Sequence, residues 1–387
     1  MPVKNRFAEL HPEITAWRRD LHEHPEILFE THRTSATVAE KLRAFGCDEV
    51  VEGIGRTGVV GVIKGNATTS GKVIGLRADM DALPIHEQTG VEYASKTPNA
   101  MHACGHDGHT AILLGAAQYL AETRNFDGTV VVIFQPAEEG GGGGREMCKD
   151  GMMDRWGIQE VYGMHNWPGM PAGSFGIRPG PFFAATDLLE IEVEGLGGHA
   201  AKPNETIDTM VVTAQMITAL QTIVSRNADP IGNIVVSITS IESSSKAFNV
   251  IPQRVNLLGT VRTLSNDLRD LAEKRVTEIC EGIAATFGAT AKVNYIRNYP
   301  VMVNHDEQTE FAADVARSIS GQCDEAPLVM GGEDFAFMLE ERPGAYILVG
   351  NGDTAMVHHP MYNFNDDVIP AGCSWWAGLA EQRMPMG

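Results

Sequence analysis

The chain has 387 residues, and 30 Lys plus Arg stand against 50 Asp plus Glu, a formal net charge of −20. An apolar fraction of 43% with 21% charged residues describes a globular protein and excludes a disordered one. The acidic balance, with no Lys/Arg run, excludes nucleic acid as a partner. Length suggests two or three domains at roughly 150 residues each. No run of about 18 apolar residues occurs, so no membrane span is expected. The stretch MPVKNRFAELHPE lacks the apolar segment of a secretory signal. The cysteines at 47, 104, 148, 280, 323 and 373 are scattered. They are expected as free thiols, or as one ligand among them, in a cytoplasmic protein.

In chain order, Phe7, Leu10, Ile14, Trp17 and Leu21 recur at steps of three and four, which predicts a helix from Phe7 to about His24. A second helix is predicted from about Arg33 to Phe45, with Gly46 as its stop. The runs Val59–Ile63 and Val73–Asp79 read as strands. A helix follows from about Gly108 to Glu122. The unbroken apolar run Thr129–Gln135 has the character of a strand buried on both faces, and Glu160–Asn166 reads similarly. Strand and helix alternate, so this part is expected to be α/β with a mostly parallel sheet.

From about Asp187 the texture changes. DLLEIEVEG alternates apolar and polar residues. A long helix over roughly Asn204–Arg226 is expected next, then strands at Asn233–Ile241 and Val250–Arg262. A helix at about Leu268–Phe287 and a strand at Ala291–Arg297 complete the order β-α-β-β-α-β, which predicts an inserted ferredoxin-like module. After about Tyr299 the α/β texture resumes, with helices near Glu307–Ser320 and Glu333–Glu341, the strand AYILVGN and a C-terminal helix. The predicted division is 1–184 and 299–387 for one interrupted α/β domain and 185–298 for the insertion.

The densest chemical signal is HACGHDGHTA, which places His102, Cys104, His106, Asp107 and His109 within eight positions. Thiolate and imidazole are ligands for zinc and its first-row neighbours. The segment leads into a helix, whose dipole is expected to lower the thiol pKa. Next comes FQPAEEGGGGG, with Glu138 and Glu139 just past a buried strand, at the edge where α/β sheets bind ligands. Adjacent residues of an extended chain face opposite ways, so one carboxylate could face a metal and the other a substrate. No Gly-Lys-Ser/Thr follows, which argues against a phosphate loop. GMHNWPGMPAG presents His165 and VHHPMYNF presents His358 and His359. No Gly-x-Ser-x-Gly elbow occurs, which argues against a serine nucleophile.

HACGHDGHTA, FQPAEEGGGGG, MHNWPG, GGHAAKP, NVIPQ, GGEDFAF and HHPMYNFND occur in that order. Together they resemble the metal-dependent aminoacylase/carboxypeptidase family of zinc peptidases. The branch they resemble holds hippurate hydrolase, N-acyl-L-amino-acid amidohydrolase and auxin-conjugate hydrolase. The resemblance spans about Phe7 to about Ala377. It implies a mostly parallel-sheet metallohydrolase domain with an inserted lid and dimerisation domain, and a homodimer or dimer-based oligomer. It also implies two divalent ions per subunit, zinc or else manganese, cobalt or nickel. Their ligands fall on Cys104, His106, Glu139, His165 and, by the family pattern, His358 of the histidine pair. Glu138 matches the general base that works with a metal-activated water. His199 of GGHAAKP matches a residue reaching the partner subunit's site. Asn249 of NVIPQ and Arg262 of GTVRT match positions near the substrate carboxylate.

Other branches carry His-x-Asp where this chain reads RADMD. Asp79 and Asp81 are therefore placed beside the ligands, not among them. The expected reaction is hydrolysis of a small N-acyl-L-amino acid, hippurate-like, to a carboxylic acid and an amino acid. The alternatives are a dipeptidase or an N-acetyl-amino-acid deacetylase on the same scaffold, or a non-catalytic protein that binds metal or amino acid.

Overall fold

The structure, a computed structural model, describes residues 4–387. Its chain divides into two compact units, 1–180 with 303–327 and 334–387, and 181–302 with 328–333.

The first unit is built on an eight-stranded mixed sheet. Its strand order is Glu49–Ile54, Gly58–Lys64, Thr129–Gln135, Val73–Asp79, Glu160–Pro168, Gly344–Gly352, Phe175–Ile177 and Asp324–Glu325. The central strands from Thr129–Gln135 to Gly344–Gly352 run parallel, and antiparallel pairs lie outside them. Val130 to Gln135 are all buried, as the apolar run demands of a strand covered on both faces. The helices Asn5–Glu23, His32–Ala44, His106–Thr123, Asp306–Ser320 and Ile369–Arg383 belong to this unit. Phe7, Leu10, Ile14, Leu114, Leu120, Trp375 and Trp376 from these helices join Leu76, Val132 and Ile347 from the sheet in one core. The N-terminal helix follows from its period-3.6 stripe: Phe7, Leu10, Ile14 and Leu21 are buried.

The second unit carries a four-stranded antiparallel sheet ordered Ile234–Ser243, Arg254–Thr263, Ala185–Glu194, Thr290–Tyr299. Alternation decides its faces. Leu189, Ile191 and Val193 pack with Val255, Leu257 and Val261 under the helices Thr209–Thr222 and Asn266–Thr286. Leu188, Glu190, Asn256 and Leu258 look the other way and are exposed.

Three predicted spans shorten, each for a local reason. The helix expected from Asn204 begins at Thr209, because the Asp208 carboxylate caps it by accepting from the N–H groups of Met210 (2.9 Å) and Val211 (3.3 Å). It ends at Thr222 in a wider turn over Ile223–Asn227. The strand expected over Val250–Arg262 splits around Pro252: Val250–Ile251 pairs with Gly198–His199, while Arg254–Thr263 enters the sheet. The helix expected over Glu333–Glu341 covers only Ala336–Glu341. Among the described residues, no helix is long and apolar enough to cross a membrane.

Candidate metal centre

Parallel strands end together, and their carboxyl ends deliver the chemistry in the first unit. Asp79 and Gln135 are register partners at two strand ends, and His165 pairs with Leu348 on the strand beside. The helix His106–Thr123 starts at the same place, with Cys104 and His106 on either side of its N-cap, Gly105.

Glu138 and Glu139 sit in a turn, not in the extended chain that their spacing suggested. Asp81 shapes that turn: its Oδ1 accepts from the Glu138 N–H (3.0 Å) and its Oδ2 from the Glu139 N–H (3.1 Å). Both carboxylates therefore turn toward His106 instead of diverging. Donor atoms of His106, Glu138 and Glu139 lie within 4.8 Å of one another, as do those of Cys104, His106 and His165, and those of Cys104, Glu139 and His358. The three sets share members, so the structure brings together six sequence-predicted residues: Cys104, His106, Glu138, Glu139, His165 and His358. His358 points Nε2 at Glu139 Oε1 (3.2 Å). His359 instead accepts the Met361 N–H at Nδ1 (3.1 Å). Ala137 (φ 53) and His358 (φ 67) hold left-handed backbone without being glycine. Strain of this kind clusters at functional sites.

These residues suit divalent cations. Both ring nitrogens of His106 and Oε1 of Glu139 are buried and make no well-formed hydrogen bond among the described residues, although Asp81 Oδ1 lies 3.4 Å from His106 Nδ1 and His358 Nε2 lies 3.2 Å from Glu139 Oε1. Native proteins seldom leave such lone pairs unused. Soft thiolate, imidazole and carboxylate together form a donor set for first-row metals. His165 donates from Nδ1 to the Asn166 carbonyl (2.5 Å), which leaves Nε2 as the free lone pair, 3.3 Å from Cys104 Sγ.

The electrostatics are those of a negatively lined pocket. Burial alone would pull the His106 pKa down, but Asp79, Asp81 and Glu139 outweigh it and raise it to about 10. Burial lowers His165 well below its usual value, with the neighbouring His109 adding to it. The Cys104 thiol departs from the expectation of a helix-lowered pKa. Burial and then the carboxylates of Glu139, Glu138 and Asp79 push it well up, because at this depth nearby negative charge outweighs the dipole of one helix end.

Asp79 and Asp81 lie beside the donor atoms. Burial raises Asp81, despite its contact with His106 Nδ1 at 3.4 Å. Asp79 is held well below the usual carboxylate range: burial opposes this, but His106, Arg77 and His109 prevail. The other members of HACGHDGHTA go elsewhere. His109 donates from Nδ1 to Asp79 (2.6 Å). Asp107 pairs with His22 (2.8 Å) and Arg18 (3.5 Å). His102 is buried and pulled down to about 4 by that burial.

Sequence reasoning missed the layer beneath. Arg77 bonds Asp79 (2.8 Å), Gln135 (2.9 Å) and Asp334 (3.0 Å), and Asp334 also accepts the Gly144 N–H (2.8 Å). An arginine inside the apolar strand VIGLRAD was a readable signal, since a fully buried charge requires partners.

In the second unit, His199 and Asn249 come together where Val250 pairs with His199 and the Ala200 N–H bonds the Asn249 carbonyl (3.0 Å). Both side chains are exposed. Arg262 lies on the sheet strand Arg254–Thr263, half-buried, and bonds Thr260 Oγ1 and the Val261 carbonyl.

The description "Peptidase family M20/M25/M40" matches residues 75–382. Hippurate hydrolase of Campylobacter jejuni is 43% identical over 379 residues, 97% of each chain. N-acetylcysteine deacetylase of Bacillus subtilis is 39% identical over 375 residues, 96% of each chain. Among solved structures, a Bacillus subtilis dinuclear metal-binding peptidase of the M20 family superposes with a TM-score of 0.85. It shares 35% identity, with 97% of this chain and 99% of that one covered. The molecule is an enzyme of the amide-hydrolase class. It belongs to peptidase family M20/M25/M40.

Proposed function

We propose that the chain hydrolyses the amide bond of N-acyl-L-amino acids of the hippurate type, releasing a carboxylic acid and an amino acid. The carrying observation is the converging donor set in which Cys104, His106 and Glu139 recur, with buried polar atoms of His106 and Glu139 that make no well-formed hydrogen bond. Cys104, His106, Glu139, His165 and His358 would hold two divalent ions per subunit, zinc or else manganese, cobalt or nickel. Such ions supply Lewis acidity and bring the pKa of water toward neutrality.

Glu138 is the general base. Its carboxylate takes a proton from the attacking water and returns it to the leaving amide nitrogen as the C–N bond breaks. Asp81 keeps Glu138 aimed through the Glu138 N–H (3.0 Å), and Asp79 holds its place through Arg77 and His109. Residues 185–298 act as a ferredoxin-like lid and dimerisation domain between the catalytic segments 1–184 and 299–387. From it, His199 of the partner subunit stabilises the oxyanion. Asn249 and Arg262 hold the substrate's α-carboxylate, for which a guanidinium fork is suited. A homodimer or dimer-based oligomer follows from that role of His199. Free cysteines fit a cytoplasmic enzyme.

A second reading, an N-acetyl-amino-acid deacetylase, is favoured by the 39% identity to N-acetylcysteine deacetylase, and a dipeptidase on the same scaffold is the other alternative. A panel of benzoyl, acetyl and indole-acetyl amino acids and dipeptides, run on metal-reconstituted enzyme, separates the readings. The hippurate reading expects the highest kcat/KM for the benzoyl substrate; preference for acetyl or free dipeptide substrates overturns it.

A further inference from the structure

One residue touches every segment that carries the candidate ligands of the HACGH and MHN motifs, yet the reaction described above gives it no part. Asn166 follows His165 on the strand Glu160–Pro168 and is fully buried. Alternation along the strand sends its side chain to the face opposite His165. Its backbone carbonyl accepts from His165 Nδ1 (2.5 Å) and its backbone N–H donates to His109 Nε2 (2.9 Å). Its Nδ2 donates to the Cys104 carbonyl (2.6 Å) and lies 3.0 Å from His109 Nε2, while its Oδ1 accepts from Tyr362 Oη (2.7 Å).

Every polar group of Asn166 is thus engaged, and only one orientation of the amide works. Flipping it would set its oxygen against two acceptors, the Cys104 carbonyl and His109 Nε2. The chain between Cys104 and His106 presses directly on this amide. Gly105 has φ +88, and a Cβ there would come within 2.3 Å of Asn166 Nδ2 and 2.4 Å of Tyr362 Oη. Only glycine permits so close an approach in that conformation.

We propose that Asn166, braced by Tyr362, is a positioning residue: a clamp that sets the spacing of Cys104 and His106 against His165 and fixes the tautomer of His109. The inference rests on the ligand set proposed above. Groups that orient metal ligands from behind typically change affinity by about 10–100-fold when altered, and the Asn166 side chain acts on Cys104 through its backbone carbonyl. Asn166→Asp is nearly isosteric but replaces the two-hydrogen donor with an oxygen that faces two acceptors.

The test is competition titration of cobalt(II) against a chelator on the purified full chain, with the thiolate-to-cobalt absorption band recorded and apo-protein unfolding measured in parallel. Asn166→Asp is expected to weaken cobalt by about 10–100-fold and shift or weaken the thiolate band. Tyr362→Phe, which removes one hydroxyl, is expected to change both in the same direction by less. It carries the test if Asn166→Asp does not fold. Wild-type cobalt affinity and an unchanged band in whichever variant folds overturn the clamp. Cys104→Ser is the control for the ligand set: if it leaves the band in place, the assignment of Cys104 as a ligand fails, a result distinct from failure of the clamp.

Discussion

The two units treat their candidate residues in opposite ways. In the parallel-sheet unit, Asp79, Asp81, Cys104, His106, Glu138 and His165 are at most 7% exposed and linked by short hydrogen bonds and ion pairs, with half-buried Glu139 and exposed His358 at their edge. In the inserted unit, His199 and Asn249 are exposed and held through their backbone ladder. The difference teaches that buried polar groups need supporting partners or a bound ion, because an unpaired buried charge is costly. Residues proposed to meet a substrate from the surface need only the backbone pairing of Val250 with His199 behind them.

The largest effect expected is on the buried side. Glu138→Gln should lower kcat by about 10²–10⁴-fold with bound metal unchanged, as measured by steady-state kinetics and metal analysis. Near-normal turnover would remove Glu138 as the base. Next, the cores of the two units should respond alike. Leu76→Ala and Leu257→Ala, both fully buried, should each cost about 2–5 kcal/mol in denaturant unfolding. Leu258→Ala, half-exposed on the open sheet face, should cost about 0.5 kcal/mol or less. Equal losses at Leu257 and Leu258 would mean that the open face is packed.

A smaller effect is expected at His199. His199→Ala should reduce kcat by about 10²–10³-fold, as losing one oxyanion donor does, while leaving metal content and thermal midpoint intact. A lowered midpoint would break the contrast, because it would make His199 structural. The last effect is a pH dependence beside the buried cluster. Burial works against protonation of His22, but Asp107 raises its pKa from 6.5 to about 9. The folded state therefore holds this proton longer than the unfolded one. The stabilisation is fully present below pH 6.5 and is lost as pH rises through 9. His22→Gln should flatten that part of the stability–pH curve; an unchanged slope would assign it to other groups.

Much of the site was readable along the chain. The dense HACGHDGHTA segment and the Glu138–Glu139 pair announce their chemistry by residue type and by position after buried strands. The preference for His358 over His359 came from the family pattern, not from spacing. The supporting layer was not readable in that way. Asp334 lies 257 positions from Arg77, and Tyr362 lies 196 from Asn166, so no local pattern links them. Asn166 follows a histidine that already drew attention, and its role emerges only when four segments converge on it.

The sequence by itself determined the periodicity of the elements, the mostly parallel sheet and which side chains have the chemistry to bind metal. These follow from local propensity, burial pattern and ligand type, which are properties of short stretches. Tertiary structure alone decided that Glu138 and Glu139 turn the same way, that the Cys104 thiol is raised and not lowered, and that Asn166 and Arg77 brace the cluster. Each of these depends on charges and backbone groups brought together from distant segments. Their energies scale with separation in space and with burial, and neither quantity is set by distance along the chain.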